Sequence, residues 1–101
     1  MIFVTALEAK FKTLDEENPI DVVVEDVILE LEKLARKYYG EKTIVTYEGN
    51  YPIDGPQHKH RFTVRTRNPD RSWRGIVIVN MFSVWKQAPG SKFHVLDITE
   101  E

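Results

Sequence analysis

The sequence contains no cysteine in its 101 residues. Disulfides, thiolate metal sites and cysteine nucleophiles are therefore excluded. It also lacks a long apolar run. The longest, residues 75–82, is broken by Asn80 and falls far short of the roughly 20 residues that a membrane-spanning helix needs. The N-terminal apolar stretch is too short for a signal-peptide core, and Glu8 follows it with no basic segment before. No P-loop, GxGxxG or GxSxG motif occurs, and neither does an RNA-binding signature of the Lys/Arg-Gly-Phe-Gly-Phe type. These absences lead to the expectation of a soluble, unprocessed cytoplasmic protein. No membrane partner, metal or cofactor is expected.

What is present is the balance of an ordinary globular chain, with 42% hydrophobic and 30% charged residues. The length suits one domain, residues 1–101. Charge is unevenly spread. Residues 1–50 hold 11 acids and 6 bases, a balance of −5, whereas residues 51–101 hold 5 acids and 8 bases, a balance of +3. Between Gln57 and Gly75, six cations (Lys59, Arg61, Arg65, Arg67, Arg71 and Arg74) stand against Asp70 alone. Such a stretch is either the solvated side of a strand pair or a surface for something anionic.

Hydrophobic periodicity divides the chain in two. Phe3, Leu7, Phe11 and Leu14 recur at helical spacing and predict an amphipathic helix of about four turns that ends before Pro19. Asn18 and Pro19 suit the cap and first position of a second helix. Its stripe is Val24, Val27, Ile28, Leu31, Leu34, Ala35 and Tyr38, and Gly40 stops it. The β-branched run Val22-Val23-Val24 competes with that start, because it also suits a strand. From Glu41 the period changes to two. Strands are predicted over residues 43–48, 58–67, 73–87 and 92–99, with a long loop at 49–56, a turn at 68–72 and a Pro-Gly turn at 88–91.

The expected fold is α+β: a helical hairpin (1–40) packed on a four-stranded antiparallel β-meander (41–101). The order of a long helix followed by a meander, from about Pro19 onward, resembles the cystatin and NTF2-like arrangements. That resemblance is one of element order and implies little about function, since such folds serve many.

Pairing the strands by their turns places Lys59, Arg61, Arg65, Arg67, Trp73, Val77, Val79, Met81, Trp85, His94, Leu96 and Ile98 on one face. The other face then carries Phe62, Val64, Ile76, Ile78, Phe82, Val84, Phe93 and Val95. A slip of one residue would exchange one strand's set. The second face is a core for the helices. The first mixes a basic column with an apolar strip. It is either wrapped into a core, or an interface with a partner or a second copy, or a nucleic-acid surface with Trp73 or Trp85 stacking on bases.

Other constellations are weaker. His58 and His60 share one side of a strand, with His60 expected opposite Asn80 and Asp54 nearby. Ser83 and His94 share the mixed face as a candidate nucleophile and base. Glu25, Asp26, Glu30 and Glu32 read as a solvated helix face. Tyr38, Tyr39, Tyr47 and Tyr51 gather where the second helix meets the sheet, as core or as a pocket wall.

The sequence therefore favours a small non-catalytic binding or regulatory protein, inhibitor-like or adaptor-like, such as phages encode. Its working surface would be Lys59, Arg61, Arg65, Arg67, Arg71, Trp73, Arg74 and Trp85, together with the loop at 49–56. Its partner would be a protein or a second copy as a homodimer. The alternatives are a nucleic-acid-binding protein that uses the basic strand pair of residues 59–74, and a small enzyme or ligand-binding protein with a pocket near His58 and His60.

Overall fold

The first two strands are joined across a turn of four residues, and this tight connection sets the antiparallel meander. In the computed structural model, which describes residues 2–84 and 92–101, the elements are α1 (Ile2–Phe11), α2 (Val24–Tyr39), β1 (Thr43–Pro52), β2 (Gln57–Arg67), β3 (Trp73–Val84) and β4 (Val95–Glu100). The sheet order is β1-β2-β3-β4, every pair antiparallel. Two helices on a four-stranded antiparallel sheet is the α+β architecture expected. The Pro-Gly turn and Trp85 lie outside the described residues.

Helix α1 is shorter than its periodicity predicts. Phe3, Val4, Leu7 and Phe11 are buried, but Leu14 lies past the helix end and is 87% exposed. The chain leaves the helix because Thr13 N–H donates to the Val95 carbonyl (2.7 Å), which ties it to β4. At the other end, Glu100 Oε1 accepts the Val4 N–H (3.1 Å). This satisfies one of the orphan donors of the first turn and places an acid at the positive end of the helix dipole.

Helix α2 starts at Val24 and not at Pro19. Val22 is extended and exchanges two backbone hydrogen bonds with Phe93, both 2.9 Å. Val23 is extended too and caps the helix with no side-chain bond. The β-branched run prevails over the Asn-Pro start signal because Val22 gains a paired backbone and a fully apolar site. Asn18 instead donates to Asp15 (3.0 Å). Residues 12–23 are thus tied to the β4 end of the sheet, and the two helices do not form a simple hairpin. The predicted stripe of α2 is otherwise present, with Val27, Leu31 and Ala35 buried, although Tyr38 is exposed.

Three bulges adjust the sheet. At Glu48 the register of β1 slips by one, with Gly49 at φ +114°, a conformation that suits glycine. Beyond it, Asn50, Tyr51 and Pro52 still pair with His60, Lys59 and His58. Most of the loop expected at 49–56 is therefore strand. In β3, Val77 pairs with Val64 and Gly75 with Arg65, so Ile76 is the extra residue. In β4, Leu96 is extra between the partners of Phe82 and Ser83.

The bulge at Ile76 reverses the faces predicted for most of β3. Val79 and Met81 stand opposite Phe62 and His60 on the helix-facing side and are fully buried. Val77 faces the same way and packs against the core. Ile78, Asn80 and Phe82 stand opposite Thr63, Arg61 and Lys59 on the outer side. Ile98, expected on the mixed face, pairs with Met81 and is buried in the core. The apolar strip assigned to the basic face is thus mostly core. Burying Val79, Met81 and Ile98 contributes about 1.5–3 kcal/mol each, and this phase keeps Asn80 off the helix-facing side.

Candidate functional site

The outer face of the sheet keeps its basic column. On β2, Lys59, Arg61, Arg65 and Arg67 alternate with the buried His60, Phe62, Val64 and Thr66, so all four cations leave the sheet on the side away from the core. Each end of the column carries a cation–aromatic pair. At one end Lys59 stands opposite Tyr51, with Nζ 6.0 Å from the ring centre. At the other, Arg67 stands opposite Trp73, with the guanidinium 5.1 Å from the ring centre. Tyr51 is 44% and Trp73 43% exposed, so both rings keep a free surface.

Between these ends the two arginines differ. Arg65 donates to Thr46 Oγ1 (3.2 Å) and lies 4.0 Å from the Glu48 carboxylate. Glu48 itself accepts from Thr63 Oγ1 at 2.8 Å. Arg61 has no ionic or hydrogen-bond partner among the described residues. Its Nε is buried and unpaired, as are Arg65 Nε and, on the neighbouring strand, Oδ1 of Asn80. Asn80 is only 2% exposed. Buried polar atoms are nearly always paired, and leaving one unpaired costs about 1–3 kcal/mol. Among the described residues, the buried side-chain atoms without a partner, on Arg61, Arg65 and Asn80, thus all lie on β2 and β3.

Not every predicted residue joins this surface. Lys59, Arg61, Arg65, Arg67 and Trp73 share the face. Arg74 pairs with Thr66 and leaves on the opposite side. Arg71 occupies the β2–β3 turn at φ 71°, where Asp70 accepts from the Ser72 N–H (2.9 Å) and hydroxyl (2.6 Å). These two bonds hold the Asp70 carboxyl below its ordinary pKa. Trp85 lies outside the described residues. Asp97 also stands on the outer side, opposite Phe82.

The histidines are arranged differently from the sequence expectation. His60 faces Met81 and not Asn80. It is 5% exposed, bonded to Tyr47 OH through Nδ1 (3.0 Å) and to Ser83 Oγ through Nε2 (2.9 Å). Its ring stacks on Phe93 with centres 3.9 Å apart. Burial, aided by the nearby charge of His58, lowers its pKa to about 4. Burial likewise raises that of Tyr47, with Tyr51 adding to it. Ser83 therefore has a histidine within bonding reach, but it is His60, not His94. Ser83 and His60 are both buried. His94 bonds Asp21 instead (2.7 Å). His58 bonds Asn50 (2.9 Å). Among the described residues no group of three or more His, Asp or Glu side chains converges on one point.

The tyrosines do not form one pocket either. Tyr39 stacks on Phe3, Tyr47 packs on His60 and Phe62, and the Tyr51 hydroxyl donates to the Glu48 carbonyl (2.7 Å). The pairing of Tyr47 with His60 and Ser83 was not legible in the sequence. Its one signal was the common parity of His60 with Phe62 and Val64.

Comparison of the chain with models of protein families, with curated proteins and with solved structures finds no match. The likeness to cystatin and NTF2-like arrangements remains one of element order.

Proposed function

We propose that this is a non-catalytic binding protein whose working surface is the outer face of β2 and its neighbours, and that its partner presents anionic groups there. The observation that carries the reading is Arg61. Its guanidinium sits at the middle of a four-cation column with no acid paired to it among the described residues. A partner oxyanion would pair with the guanidinium. Lys59 and Arg67 would extend the contact to both ends of the strand.

The chain as a whole is acidic, with a net charge of −2, so retention on a polyanion matrix reports a local surface and not the overall balance. The test is heparin chromatography at low salt. The triple variant Lys59→Gln, Arg61→Gln, Arg67→Gln is compared with Lys33→Gln, Lys37→Gln, Lys42→Gln, which removes equal charge elsewhere. The wild type and the second variant should be retained and the first should flow through. Equal elution of the two variants, or no retention of the wild type, overturns the reading.

A further inference from the structure

The anion-binding reading leaves the partner's chemistry open, and the outer face narrows it. We infer that the partner is single-stranded nucleic acid, its phosphates along the β2 cations and its bases on Trp73 and Tyr51. This inference rests on the reading above and specifies its partner.

Three features carry it. The first is spacing. Lys59 and Arg61, and then Arg65 and Arg67, are two residues apart on one strand face, which sets neighbouring cations about 7 Å apart. That separation is comparable to the distance between successive phosphates of an extended single strand. The second is the position of the aromatics. Trp73 and Tyr51 stand beside the column at its two ends, each about half exposed and each next to a cation. Exposed rings flanking a cationic track are the stacking platforms of single-strand binding. From Lys59 to Arg67 the column spans about 26 Å. That suits a site at the short end of the roughly 4–16 nucleotides that single-strand-binding domains cover. The third is the middle of the face, where Arg61 makes no ion pair or side-chain hydrogen bond among the described residues, whereas Arg65 leans on Thr46 and Glu48, so the Arg61 charge is available to a phosphate.

A duplex fits less well. Its bases are already stacked, so it cannot use Trp73 and Tyr51, and among the described residues no helix projects from this face into a groove. An acidic peptide would use the cations but has no planar bases for the two rings.

Fluorescence anisotropy with labelled oligothymidylate, oligouridylate, a duplex and polyglutamate tests the inference. The single strands should bind most tightly, with an affinity that falls steeply as salt rises. Trp73→Ala should weaken single-strand binding about tenfold or more, and Trp73→Phe should restore most of it. Trp73 is exposed, so both variants should fold. Arg61→Ala should lower the salt-dependence slope by about 0.7. The two oligonucleotides differ in sugar and distinguish RNA from DNA as the preferred strand. Polyglutamate or duplex binding that equals single-strand binding, with Trp73→Ala unchanged, refutes the inference and leaves the anion-binding reading standing. Absence of binding to every polyanion refutes both.

Discussion

The buried imidazole of His60 makes the protein's stability depend on pH in a calculable way. In an unfolded chain the ring ionises near pH 6.5, and in the fold only near pH 4. Hydrogen bonding does not cause the difference. The neutral ring gives one proton and accepts another, through Tyr47 OH and Ser83 Oγ. The charged ring would donate to both oxygens equally well. The cost of charging is therefore desolvation against Phe93 and the surrounding core, with His58 adding to it. Between pH 6.5 and about 4 the unfolded chain binds one more proton than the folded one, so stability falls as pH falls. The contribution is fully present above pH 6.5. The slope is about 1.4 kcal/mol per pH unit, which amounts to about 3 kcal/mol across the window. For a chain of this size that corresponds to roughly 15 °C in melting temperature.

The assay is chemical denaturation from neutral pH to pH 4, with the wild type compared with His60→Phe and His60→Gln. Either variant removes the titrating group. His60→Phe leaves the Tyr47 and Ser83 hydroxyls without their partner, so it starts less stable by about 1–3 kcal/mol. Its loss on acidification should be smaller than the wild type's by about 3 kcal/mol, so the two curves converge. Carboxylates such as Asp15, Glu30 and Asp70, all held below their ordinary pKa by hydrogen bonds, lose their contributions from the acid end of that range downward and cancel between variants. Parallel curves for wild type and both variants, or a ring titration of His60 near 6.5 by NMR, would refute the reasoning.

Two structural substitutions follow from the same geometry. Glu100→Ala removes the acceptor of the Val4 N–H and should cost about 1 kcal/mol, read as a lower denaturation midpoint at unchanged slope. Gly49→Val forces a β-branched residue to φ +114° at the β1 bulge. It should destabilise by about 1–3 kcal/mol, measured by thermal melting.

The alternation of β2 was fully legible. His60, Phe62, Val64 and Thr66 alternate with Lys59, Arg61, Arg65 and Arg67, so polarity itself marks the phase. In β3 it does not. Residues 75–82 are apolar at both parities except for Asn80, and a period of two assigns no face to such a run. Counting from the turn gave the right partners for Arg67 and Arg65 and then failed at the Ile76 bulge. Asn80 was the available signal. Placing it on the outer side sends Val79 and Met81 inward, as observed. The start of α2 failed for a related reason, because Val22 is fixed by Phe93, a partner 71 positions away, and no local cap signal reports a contact at that range.

The corrected register changes what the outer face can be. With Val79, Met81 and Ile98 in the core, Ile78 and Phe82 take their place on the outer face beside the cations and the two flanking rings. The acids of α2 do not cancel the cations. Glu25 and Asp26 lie on exposed parts of α2, which packs against the other side of the sheet, and the molecule is 24 Å across its short axes. At physiological ionic strength the screening length is about 8 Å, so a partner at the outer face senses the β2 column, with Glu48 and Asp97 beside it, far more than the acids of α2. At low salt the acids reach further and oppose an anionic partner. The affinity of an anion at this face is thus set at physiological salt by the local balance of the β2 cations against Glu48 and Asp97, although the chain's net charge is negative.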